Sequence, residues 1–143
     1  MKKYGFTLVE IMIVVAVIGI LALMALPNIT RSRLNANETA AASAMKTITS
    51  AAVGYRSTHS TYPPDMAALT ATTPTYVDTD LGAGSKSGYT FSLAGGTNGF
   101  TATGRPAIFQ TSGIRSFLVD ESGVVRWTDQ NANPSPADAV LSE

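Results

Sequence analysis

Cysteine is missing from this chain of 143 residues, which removes disulfides, thiolate metal ligands and thiol nucleophiles together. Net charge is missing too. Ten basic and ten acidic side chains cancel, leaving no electrostatic footprint for the backbone of a nucleic acid or for an anionic lipid surface. Histidine and tryptophan occur once each, and charged residues make 14% of the chain against 45% hydrophobic ones. The excess is therefore apolar, and it is concentrated at the amino-terminal end. The length leaves room for one modest domain.

From Phe6 to Leu26 the chain reads FTLVEIMIVVAVIGILALMAL, and Thr7 and Glu10 are the only polar side chains among these 21 residues. As a helix rising 1.5 Å per residue the run covers about 31 Å, close to the roughly 30 Å hydrocarbon layer of a bilayer. Lys2 and Lys3 precede it and favour a cytoplasmic amino terminus. A secretory signal peptide is the plainer reading, but the run closes on Ala22-Leu23-Met24-Ala25-Leu26-Pro27. Small residues at the spacing signal peptidase needs are absent there, and a proline intervenes. Glu10 is a second objection, because a carboxylate inside a bilayer costs about 2.5 to 3.5 kcal/mol on insertion scales and requires a partner. Cutting the chain after Gly5 creates one. The α-ammonium of Phe6 would lie four positions before Glu10, one helical turn away in the same chain or within reach on a neighbouring copy.

The word Lys2-Lys3-Tyr4-Gly5-Phe6-Thr7-Leu8-Val9-Glu10 resembles the type III leader junction of type IV prepilins and type II secretion pseudopilins. The resemblance extends over roughly the first fifty-five residues, through the uninterrupted apolar run. It implies that a membrane-embedded prepilin peptidase cuts after Gly5 and methylates the new terminus at Phe6. Glu10 is then the carboxylate that pairs with a neighbour's terminal amine, Pro27 matches the helix-kinking proline, and Gly19 falls where filaments of the family are often unwound. The chemistry of Pro27 stands alone: it cannot donate to the carbonyl of Leu23, and its ring crowds that group at about 3 kcal/mol in a helix interior, so a bend or break is expected. Gly19 adds a weak point of about 1 kcal/mol relative to alanine.

Beyond Pro27, Leu34, Ala41, Met45, Ile48, Ala52 and Tyr55 recur at helical steps, forming one apolar stripe, with Arg31, Arg33, Glu38, Lys46 and Arg56 on the opposite side. The helix is expected to reach about Ser57, a rod of roughly 78 Å, whose first half has no apolar partner in its own chain. His59-Ser60-Thr61-Tyr62-Pro63-Pro64-Asp65 should end it, because two prolines cannot continue a helix. Residues 65–87 read as a connecting loop with a helical turn at Met66 to Leu69. The period then becomes two. Tyr89, Phe91 and Leu93 alternate with Thr90 and Ser92, and Asn98-Gly99 signals a hairpin before Phe100-Thr101-Ala102-Thr103. Ser116 to Val119 and Val124 to Thr128 make another pair.

The expected fold is α+β: a long N-terminal helix, its first half transmembrane, packed on a small antiparallel β-meander in the pilin-like manner. The segments are a leader at 1–5, a transmembrane and polymerisation helix at 6–26, and its amphipathic half at 27–58. A loop and antiparallel sheet follow at 59–128, and a surface tail at 129–143.

Nothing in this inventory asks for catalysis. His59 sits in a turn-rich word, and the serines lack a G-x-S-x-G elbow. Gly82-Ala83-Gly84-Ser85-Lys86-Ser87-Gly88 lacks the spacing of a phosphate loop. Asp78, Asp80 and Gly82 resemble the start of a calcium loop without its distal glutamate. Because the resemblance includes pseudopilins, which often bind calcium, Asp78 and Asp80 stand as the one candidate metal site, and no other cofactor is expected. The aromatics are accounted for as core and strand residues.

The function so implied is the structural subunit of a type IV pilus-like filament. Its expected partners are copies of itself, the prepilin peptidase, an inner-membrane assembly platform and membrane lipid before assembly, with nucleic acid not expected as a direct partner. The expected location is the bacterial inner membrane as precursor, then a surface or periplasmic filament. Two alternatives stay open: a pseudopilin of a type II secretion system, toward which the lack of cysteine leans, and a single-pass anchor carrying a periplasmic binding module.

Overall fold

A computed structural model describes residues 5–129 and 134–141 of the chain, the side chains of 24–28 excepted. The leader residues Met1 to Tyr4 lie outside the described residues. Two compact units are formed, Met1–Arg33 and Leu34–Glu143.

Helix α1 runs from Leu8 to His59. Pro27 does not break it, and it also passes unbroken through Gly19. In the first unit the described apolar side chains are exposed all round the helix, Leu8, Val9, Ile13, Val15 and Leu23 among them. A helix that is apolar on every side has no stable place in water and requires lipid or protein around it. Among the described residues no helix is long and apolar enough to cross a membrane. The span expected from Phe6 to Leu26 includes residues 24–26, whose side chains are not described.

In the second unit α1 lays one stripe on the sheet. Ala41, Ala44, Met45, Ile48, Ala51 and Ala52 are buried, at the three- and four-residue steps of one helix face. Leu34 and Tyr55, expected in the same stripe, are half-buried at its ends. The helix closes before the prolines are reached. Ser60 takes the left-handed conformation (φ 62°), and its N–H donates to the carbonyl of Arg56 at 2.9 Å, a helix-ending geometry.

The connection that follows is more regular than a loop: a 3-10 turn at Ala67–Leu69, a short helix α2 at Thr79–Gly82 and strand β1 at Ser85–Lys86. Ser87 (φ 51°) and Gly88 (φ 74°) join β1 to β2, Tyr89–Gly95, with Lys86 opposite Tyr89. Two left-handed residues between paired strands make the type I′ turn, whose twist suits a hairpin. The glycine-rich word is thus a hairpin.

Strand β3 is Phe100–Pro106, three residues longer than Phe100 to Thr103, and pairs with β2 from Gly95↔Phe100 to Tyr89↔Pro106. Its turn is a four-residue connection closed by the Gly96 N–H on the Gly99 carbonyl at 3.0 Å. Asn98-Gly99 therefore marks the place of the hairpin but not its type. Strands β4 (Ser116–Asp120), β5 (Arg126–Thr128) and β6 (Ala139–Val140) complete an antiparallel sheet of six strands in sequential order. The expected meander of three or four strands is extended at both edges. The segment read as a tail supplies β6, and Leu141 packs on the core.

The helix face and the inward residues Tyr89, Phe91, Leu93, Phe100, Ala102, Phe117 and Val119 form one apolar cluster with Leu69, Val77 and Leu81 of the connection. The fold is α+β, a long N-terminal helix on an antiparallel sheet.

Candidate assembly site

The segment with chemistry is the start of α1. Gly5 is exposed, with open space where a side chain would stand, so the bond after it is unobstructed by the described residues. Phe6 is 78% exposed. Thr7 precedes the first helical residue, and its carbonyl accepts the N–H of Ile11 at 3.3 Å. Thr7 is thus the residue at which the helix is capped.

Thr7 and Glu10 cap each other. The N–H of Glu10 donates to Thr7 Oγ1 at 3.2 Å, while Thr7 Oγ1 and Thr7 N–H donate to Glu10 Oε2 at 3.3 and 3.4 Å. This is the T-x-x-E capping box, in which two orphan donors of the first turn are satisfied reciprocally. The carboxylate also lies at the positive end of the helix dipole. The structure therefore brings Glu10 to Thr7, next to the Gly5–Phe6 bond in the chain, and Gly19 and Pro27 fall further along the same helix. The spacing from Thr7 to Glu10 was a legible signal for this pairing.

The other candidate, Asp78 and Asp80, lies in the second unit. Asp78 caps α2, its Oδ1 accepting the Leu81 N–H at 2.7 Å, and its Oδ2 pairs with the Lys86 ammonium. The Lys86 bond, then the Leu81 N–H, hold its carboxyl below the ordinary range. Asp80 is exposed in the first turn of α2. Among the described residues no group of three or more His, Cys, Asp or Glu side chains is placed to hold a metal ion. His59 stacks on Tyr55 with ring centroids 4.0 Å apart, and its Nδ1 lies 2.8 Å from Thr58 Oγ1.

Comparison with known proteins places this motif. The family model described as the prokaryotic N-terminal methylation motif matches residues 1–26. PilA4, the major component of the type IV wide pilus of Thermus thermophilus, is 31% identical over 114 residues, covering 76% of this chain and 87% of that protein. The chain belongs to the type IV pilin family. A match of 114 residues reaches well beyond the first unit, so the likeness of this pilin to PilA4 includes the head that α1 and the sheet build. The pilin is a subunit of a pilus or pseudopilus filament.

Sequence reasoning missed two polar residues of this pilin's head. Glu38, assigned to the solvent side of α1, has a side chain only 12% exposed. Its Oε1 accepts the N–H groups of Ile114 and Arg115 at 2.9 and 3.2 Å. Beside it Asn37 Nδ2 donates to the carbonyl of Ser112 at 2.9 Å. Together they fasten the loop between β3 and β4 to the helix. Arg115 in turn lies 4.5 Å over the ring of Trp127, in cation–π contact.

Proposed function

We propose that this pilin is the structural subunit of a surface type IV pilus. It is made as a precursor held in the inner membrane by Phe6 to Leu26, with its amino terminus cytoplasmic and its head periplasmic. Prepilin peptidase cuts after Gly5 and the amine of Phe6 is methylated. An assembly platform then extracts the subunit, and the apolar helices of many copies pack together, each Glu10 meeting the terminal ammonium of a neighbour. Gly19 and Pro27 are the places where the packed helix yields.

The observation that carries this reading is one carboxylate at the start of a helix whose described apolar side chains, within the first unit, are exposed on every side. Extraction from lipid leaves that surface uncovered unless copies cover one another, and among packed apolar helices a neighbouring cation is the partner that offsets the charge of the acid. Glu10→Ala is the test. Loss of filaments while mature subunit accumulates in the membrane supports the reading, and filaments at normal yield overturn it. Mass measurement of the mature terminus checks the processing step: a chain beginning at methylated Phe6 is expected, and a functional chain retaining Met1 to Gly5 contradicts it. The lack of cysteine favours a second reading, a secretion pseudopilin. Deleting the protein separates the two, since loss of surface fibres with normal protein export marks a pilus subunit.

A further inference from the structure

We infer that Thr7 is a positioning residue for Glu10, holding its carboxylate in lipid until the amine of a neighbouring copy arrives; the inference rests on the assembly reading above. While Gly5 remains joined to Phe6, the terminal ammonium that a Glu10 is to meet does not exist. In that state the carboxylate is nonetheless engaged, because Thr7 Oγ1 and Thr7 N–H both donate to Oε2. Its neighbours on the helix surface are the exposed apolar side chains of Leu8, Val9 and Ile11. Among hydrocarbon chains no water replaces a missing hydrogen bond, so an unengaged carboxylate there is costly. One hydroxyl thus does two things: it receives the Glu10 N–H at 3.2 Å, and it turns the carboxylate back toward the helix start.

The hand-over follows from the lengths. At 3.3 and 3.4 Å these bonds are longer than the roughly 2.7 to 2.9 Å of an ammonium on a carboxylate, in which both partners carry charge. An arriving ammonium therefore displaces the hydroxyl, and the hydroxyl does not hold the acid against it. The carboxylate is held on Thr7 at the start of the helix, one residue after the position at which the terminal amine forms. No bond is made or broken other than hydrogen bonds.

The experiment compares the full chain carrying Thr7→Val, Thr7→Ser or Glu10→Ala in the filament-forming host. Valine keeps the β-branched shape and removes the hydroxyl, whereas serine restores it. Filament yield is measured relative to mature subunit, so a change in cleavage does not enter. Thr7→Val is expected to lower that ratio roughly fivefold, in line with the loss of a capping side chain, and Thr7→Ser is expected to restore it. Normal filaments from Thr7→Val alongside none from Glu10→Ala would overturn the role of Thr7 and leave the assembly reading standing. Normal filaments from Glu10→Ala would instead remove the assembly reading itself. Should Thr7→Val not be cleaved, amide exchange of the uncut chain in detergent micelles decides. Exchange at Glu10 is expected to quicken roughly fivefold in Thr7→Val and not in Thr7→Ser, and an unchanged rate defeats the inference.

Discussion

Two carboxylates in this pilin were read from sequence as if their surroundings were opposite, and in both cases a backbone N–H supplied what the reading lacked. Glu10 was recognised as an acid in need of a partner, and the capping box at Thr7 supplies one inside the chain. The pattern T-x-x-E before an apolar run was visible from the start. Glu38 was read as a solvated charge because it stands off the apolar stripe of α1. Nothing local announces that two amides 76 and 77 positions away will descend on it. Removing it takes the acceptor from both donors, which are exposed and can turn to water, so Glu38→Ala is expected to destabilise the head by about 0.5 to 1.5 kcal/mol in denaturant unfolding, with Glu38→Gln recovering part through its amide oxygen. Asp120 gives a pH signature. The Ser122 hydroxyl, chiefly, holds its carboxyl below the ordinary range, so its contribution is present above the unfolded value near pH 4 and disappears as pH falls through the lowered folded value. The site is largely exposed, which limits the effect to about 0.5 kcal/mol. Thermal melting of Asp120→Asn should fall slightly below wild type at pH 7 and converge with it toward pH 2.

At the scale of the element, α1 was legible over nearly its whole length because its apolar residues repeat at helical steps, and β2 because Tyr89, Phe91 and Leu93 alternate with small polar residues. The packing of these two elements makes the core, and it can be probed directly. Ile48 is fully buried and Val53 is half-exposed on the same helix. Ile48→Ala is expected to cost about 2 to 5 kcal/mol and Val53→Ala less than about 0.5, measured by unfolding of the head. Turns were legible in place and not in kind. Asn98-Gly99 lies in a four-residue connection, while the type I′ turn belongs to Ser87-Gly88, because turn type is decided by the register the flanking strands adopt. Gly88 at φ 74° would bring a Cβ within 3.0 Å of Ser112. Gly88→Ala should therefore lower stability by about 1 to 2 kcal/mol, read as a shift in the unfolding midpoint.

For the whole molecule the division at Arg33 and Leu34 separates two kinds of stability. The second unit encloses its own apolar cluster and is expected to unfold cooperatively in water when expressed from Leu34 onward, as a monomer by ultracentrifugation. Among the described residues of the first unit the apolar side chains are exposed instead, so the full chain should require detergent or self-association; a full chain monomeric in plain buffer would contradict this. By its order of residues alone, this protein had determined a helix too apolar at one end for water, an acid lodged at the start of that run, and a stripe of matching period to lie on a sheet. Each of these is written in neighbouring residues and needs no knowledge of the fold. The tertiary structure alone decided that Glu38 and Asn37 bind the loop between β3 and β4, that the glycine-rich word closes a hairpin, and that the last described residues add a strand. These depend on contacts between residues 75 or more positions apart or on the register of paired strands, and neither leaves a periodic trace along the chain.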